Sequence, residues 1–111
     1  MNYSSLQPHL EREFNYSETI QVLKSNKSVY YSWGTSKMSL VDLDKQDKNY
    51  VKGLLLSVNG RLHKGYVLIT LGFDDTYCVY IMNNRGRVLD THKDVYVDML
   101  VDTIDYSIET K

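Results

Sequence analysis

The chain has 111 residues, of which 24% are charged, and a formal net charge of −1. That length supports one hydrophobic core and not two, since a globule of this size buries roughly 65% of the surface its unfolded chain exposes. The charge balance excludes whole-molecule attraction to nucleic acid or to an anionic membrane, and the single cysteine, Cys78, excludes an intrachain disulfide.

Other compositional signals point the same way. One proline and six glycines argue against a long unstructured linker. No apolar run approaches the roughly eighteen residues of a membrane span, and Met1–Pro8 has no basic stretch followed by an apolar one. A soluble, cytoplasmic protein is expected. Tyrosine is abundant, with ten residues against one tryptophan and two phenylalanines. It supplies contact area with a polar tip, which suits an amphipathic sheet or a protein-binding surface.

Residues 1–15 read as an N-terminal arm, with Leu6, Leu10 and Phe14 four apart, and residues 16–111 as one domain. Ser17 to Lys24 is predicted to be a helix, with Ser17 as its N-cap and Ile20 and Leu23 facing inward. Val29 to Trp33 reads as a strand ended by Gly34, and Lys37 to Leu43 as another, leading to a polar turn through Asn49.

Three apolar runs form the centre: Val51 to Val58, Tyr66 to Leu71 and Tyr77 to Met82, separated by segments rich in Gly, Asn and Asp. The period of two puts Leu54, Leu56 and Val58 on one face, and likewise Val67, Ile69 and Leu71, with Leu68 and Thr70 opposite. Both faces are apolar, so the sheet is expected to be covered by helices on one side and partly covered on the other. Asn83 to Gly86 is a turn by residue chemistry, and Arg87 to Asp90 a short closing strand.

From Asp94 to about Glu109 a helix is expected, with Val97, Leu100, Val101, Ile104 and Ile108 as its buried stripe. A strand at Val95 to Val97 ahead of a shorter helix is the local alternative. The predicted fold class is α+β, an antiparallel meander of about five strands with an N-terminal and a C-terminal helix packed on it.

The charged residues form two constellations. Asp94, Asp98, Asp102, Asp105 and Glu109 recur at helical spacing, five carboxylates on one face with no Lys or Arg between them. Such a row is either the solvated face of an amphipathic helix or a surface that meets a basic partner. Arg61, Lys64, Arg85 and Arg87 lie in alternate turns of the meander and so at one end of the sheet, with Tyr66 and Tyr77 expected nearby. These side chains are solubilising caps, counter-charges for the acidic row, or an anion or nucleic-acid site.

Catalytic signatures are absent. His9, His63, His92 and Cys78 lack metal-ligand spacing, no glycine-rich phosphate loop is present, and a mid-strand cysteine is a poor nucleophile. No metal or cofactor is expected. Lys64-Gly65-Tyr66 matches the opening of the RNA-recognition-motif signature, but Leu68 and Leu71 stand where stacking aromatics are required.

From residue 19 to the end, the chain resembles a group of short proteins encoded by bacteriophages and related mobile elements. The resemblance rests on Trp33-Gly34-Thr35, His63-Lys64-Gly65-Tyr66-Val67 with Ile69-Thr70-Leu71, Asp75 with Tyr77-Cys78-Val79-Tyr80, and Asp94-Val95-Tyr96 with Asp98, Leu100-Val101-Asp102 and Ile104-Asp105. It implies a small accessory protein that occupies a host protein's surface, inhibitors of bacterial defence nucleases among them, and it implies no active-site residue.

The expected function is therefore non-enzymatic: binding a bacterial protein with a basic surface through the acidic C-terminal face, with a homodimer as another use of the same charges. The alternatives are a nucleic-acid-binding module built on the basic turns and a small ligand-binding or nucleotide-sequestering protein.

Overall fold

In a computed structural model of the chain, the described residues are 14–25, 27–35, 37–41, 50–60, 63–72 and 76–110. In chain order the elements are β1 (Phe14–Asn15), α1 (Tyr16–Leu23), α2 (Lys27–Ser32), β2 (Lys37–Val41), β3 (Tyr50–Val51), β4 (Gly53–Asn59), β5 (Lys64–Leu71), β6 (Tyr77–Met82), β7 (Val88–Val95) and α3 (Leu100–Asp105). A 3₁₀ turn, Val97–Met99, leads into α3, and a π-type turn, Tyr106–Thr110, comes after it.

The main sheet has five antiparallel strands in the order β2-β4-β5-β6-β7, and β1 pairs with β3 in a separate two-stranded ribbon. The α+β meander with N- and C-terminal helices is therefore the fold of this protein. Short connections enforce it, because neighbours joined by tight turns must run antiparallel.

The period of two sorts the core as the sequence predicts. One sheet face presents Leu54, Leu56, Val58, Val67, Ile69, Tyr77, Val79 and Ile81 to side chains of the helices, including Leu23, Tyr30, Trp33, Leu100, Ile104 and Ile108. Each fully buried aliphatic side chain there contributes about 2 kcal/mol of transfer free energy. The other face carries Val41, Leu55, Leu68, Cys78, Tyr80 and Met82, all buried, and among the described residues this cluster consists only of strand side chains.

Several boundaries differ from those read in the sequence. Val29 to Trp33 is not a strand but belongs to α2 and its C-terminal turn. A three-residue step buries both Tyr30 and Trp33 and leaves Tyr31 74% exposed, whereas alternation would have buried Tyr31, so tertiary burial overrides the β-propensity of the segment. Gly34 ends the helical segment at φ 61, and a Cβ there would stand 2.6 Å from the carbonyl oxygen of Asn59.

The α1 cap is Asn15 rather than Ser17, since Asn15 is extended and its Oδ1 accepts from the Ser17 N–H at 3.0 Å. Phe14 is buried in the core, its ring edge-on to Tyr77, while most of the expected arm and the polar run 42–49 lie outside the described residues.

The largest correction concerns the C-terminal helix. β7 continues to Val95, which pairs with Tyr77, and Asp94 adopts φ 56 within that strand. A short polar side chain tolerates this left-handed conformation, but an α-helix cannot begin there. Beyond the strand come a 3₁₀ turn, an α-helix and a π-type turn in succession, with Leu100, Ile104 and Ile108 buried but Val97 51% exposed.

Candidate functional site around the Val97 turn

The exposed surface near the C-terminal end is built by the way the chain leaves β7. Val95 is buried and pairs with Tyr77, Tyr96 is extended, and the Met99 N–H donates to the Tyr96 carbonyl at 2.9 Å to close the 3₁₀ turn. Leu100 then enters the core. So tight a turn cannot bury its outer side chains. Tyr96, Val97 and Met99 stay about half exposed, and Tyr106, one helix later, is 57% exposed.

These four belong to the six large hydrophobic side chains that are exposed among the described residues. Single exposed hydrophobics are ordinary, but here four fall within eleven residues of chain, and Met99 and Tyr106 line one groove together.

The turn separates two open grooves. One, of about 460 Å³, lies between α1 and the turn and is lined by Glu18, Gln21, Val22, Ser25, Val97 and Asp98. The other, of about 430 Å³, is lined by His92, Met99, Asp102, Thr103 and Tyr106. Among the described residues, no lysine or arginine lines either groove.

The five carboxylates do not form one row. Asp94 is exposed at the end of β7, Asp98 in the 3₁₀ turn and Asp102 on α3. Asp105 turns inward, where its Oδ1 accepts from the Trp33 indole N–H at 3.1 Å, and the side chain of Glu109 is outside the described set. The change from 3₁₀ to α to π-type winding breaks the uniform angular step on which a straight stripe depends. Among the described residues, Asp98 and Asp102 take part in no ion pair; the ion-pair contact nearest to them in the chain is His92 Nε2 to Asp90 Oδ2 at 3.4 Å.

A serine, a histidine and an aspartate meet beside the second groove, but not as a nucleophilic triad. The Ser107 hydroxyl donates to the Thr103 carbonyl at 3.0 Å, so it accepts from His92 Nε2–H at 2.9 Å. His92 therefore presents a proton to the serine rather than removing one, and Asp90 approaches that same nitrogen instead of the other one. Ser107 and Cys78 are both buried, and among the described residues no group of three or more His, Cys, Asp or Glu is placed to hold a metal.

The basic turns gather at the opposite end of the sheet. Lys64, Arg85 and Arg87 are exposed there, while Arg61 lies outside the described residues. This end is tightly hydrogen-bonded: Asn83 Oδ1 accepts from the N–H groups of Arg85 and Arg87, both at 2.9 Å, and His63 Nε2 donates to the Met82 carbonyl at 2.9 Å. Tyr66 is half-buried against the second-face cluster.

Tyr77 does not accompany these residues, contrary to the expectation from sequence. It stands at the other end of β6, buried, its hydroxyl hydrogen-bonded to Thr19 Oγ1 at 2.8 Å. Five residue steps along β6 correspond to about 17 Å, roughly two Debye lengths at physiological ionic strength. Lys64, Arg85 and Arg87 are consequently not counter-charges for Asp98.

Sequence reasoning missed Tyr96, Val97, Met99 and Tyr106, and it assigned Val97 to the buried stripe. The signal that was available is that Tyr96 and Met99 fall off that stripe. Among the described residues, no helix is long and apolar enough to cross a membrane. No family model matches the chain, and neither does any curated protein or solved structure.

Proposed function

We propose that this chain is a small non-enzymatic interaction protein, encoded by a phage or related mobile element, that captures a basic surface of a bacterial protein with the turn and helix at residues 96–106. One observation carries this reading: half-exposed Val97 lines one groove with Asp98, and half-exposed Met99 and Tyr106 line another with Asp102, two carboxylates without an ion-pair partner among the described residues. Tyrosine and methionine are enriched in the centres of protein interfaces, and charges beside them select the partner by sign and speed its encounter. The family resemblance supplies the setting, in which modulation of a host defence protein is one outcome of such capture.

The test is retention of a bacterial protein from nuclease-treated lysate by the wild-type chain and by variants. Loss of the same band with Val97→Ser/Met99→Ser and with Asp98→Lys/Asp102→Lys, and its persistence with Arg85→Ala/Arg87→Ala, is the expected pattern. Equal retention by all of them removes the proposal.

A second reading has its own support, because Lys64, Arg85 and Arg87 are exposed at one end of the sheet. Salt-dependent binding of nucleic acid that disappears when these three become Ala would favour it. Self-association as a homodimer would set the acidic end of each copy against the basic end of the other, and is read by light scattering.

A further inference from the structure

We infer that the two grooves beside the Val97–Met99 turn each receive one cationic side chain of a single protein segment that lies across the turn. This rests on the reading of residues 96–106 as a protein-binding surface and names the chemistry of what it binds. Each groove combines an apolar wall with a carboxylate: Val22 and Val97 with Glu18 and Asp98 in the first, Met99 and Tyr106 with Asp102 in the second. An arginine or lysine has the same division, an aliphatic stem that favours apolar contact and a charged head that does not.

Arginine fits better than lysine. Its planar guanidinium pairs with carboxylates through two parallel hydrogen bonds and also stacks on aromatic rings, and Tyr106, 57% exposed at the second groove, offers such a ring. Nucleic acid is disfavoured, because three carboxylates would face its phosphates. A polyamine supplies charges and methylenes but no planar fork to pair with a carboxylate or stack on Tyr106. The turn that a bound segment crosses leaves Val97 and Met99 half exposed, which favours an apolar residue there. The occupant is thus a polypeptide segment with two arginines flanking an apolar residue.

The probes are peptides with two arginines separated by one to four residues, with leucine between them. The controls are the same peptides with citrulline for arginine, and spermidine. Binding is followed by backbone amide chemical shifts of the full chain. For at least one spacing the expected result is shifts at Val22, Val97 and Asp98 and also at Met99, Asp102 and Tyr106. Citrulline should weaken binding at least tenfold, and spermidine should bind more weakly than the best peptide.

Glu18→Gln should diminish the first set of shifts and Asp102→Asn the second, with thermal unfolding of both variants unchanged. Shifts confined to one groove, an unaffected citrulline peptide, spermidine equal to the peptide, or no binding at millimolar peptide each overturn the inference. The wider reading fails separately: if Val97→Ser/Met99→Ser abolishes capture from lysate while Glu18→Gln and Asp102→Asn do not, the surface binds protein and the grooves are not its cation sites.

Discussion

The two ends of the sheet solve opposite problems. At the basic end the chain turns tightly and hydrogen-bonds within its turns. Gly34 and Gly65 take positive φ where an added Cβ would stand 2.6 and 2.5 Å from the carbonyl oxygens of Asn59 and Met82, and Asn83 ties its own turn together. Two large hydrophobic side chains, Leu89 and Tyr31, are exposed there as well, but neither lines either groove. At the acidic end a 3₁₀ turn buries Leu100 but leaves Tyr96, Val97 and Met99 half in water. Both ends expose apolar side chains, but at the acidic end they line grooves together with carboxylates, which is why charge alone is a poor guide to which end binds.

The largest effect that would test this contrast is on stability at the basic end. Gly65→Ala places a methyl group against backbone atoms of Met82 and Asn83 at φ 150, and should destabilise the fold by on the order of 3 kcal/mol in urea unfolding. Val97→Ser at the other end should change stability by less than about 0.5 kcal/mol. Similar losses for the two would erase the distinction.

Next in size is Trp33→Phe. The indole is fully buried and holds Asp105, so its loss should cost about 2 kcal/mol through a cavity and a broken hydrogen bond. Asp105→Asn, which keeps an acceptor oxygen, should cost less than half of that. If Asp105→Asn instead impaired partner capture as strongly as Asp98→Lys, Asp105 would belong to the binding surface rather than to the packing of α3.

Charge reversal at Asp98 and Asp102 comes third: at least tenfold weaker binding of the captured protein, or about 1.4 kcal/mol, with thermal stability unchanged. Titration by interferometry with the purified partner checks it. The smallest effect is alkaline. Burial pushes the Tyr30 phenol above its ordinary value of 10.0, so the folded chain holds that proton where the unfolded chain has lost it. Its contribution to stability is complete below pH 10 and is lost as pH rises through 10 toward the folded value. Tyr30→Phe should flatten that decline in unfolding measured between about pH 9 and 11.

Much of the fold was legible in the sequence because alternation is a local signal. The faces of β4, β5 and β6 derive from side chains two apart, and the turns from Gly, Asn and Asp between them. The candidate site was legible only in part. Asp98 and Asp102 were named from spacing, but so was Asp105, which the Trp33 indole occupies, and Tyr77 was placed beside the basic turns although it lies at the far end of β6. Spacing along a chain cannot show that winding changes from 3₁₀ to α to π-type between Val97 and Thr110, nor that a strand reaches Val95 because Tyr77 is there to pair with it.

By itself, the order of apolar and turn-forming residues determined an antiparallel sheet with packed helices and the membership of each sheet face, since side-chain direction in a strand is a matter of parity. Tertiary structure alone decided that Tyr30 and Trp33 arrive on a helix and its closing turn, that Asp94 belongs to a strand, and that Val97 and Met99 stay exposed between two grooves. Those outcomes depend on which distant surface is available to bury each side chain, and no local pattern encodes it.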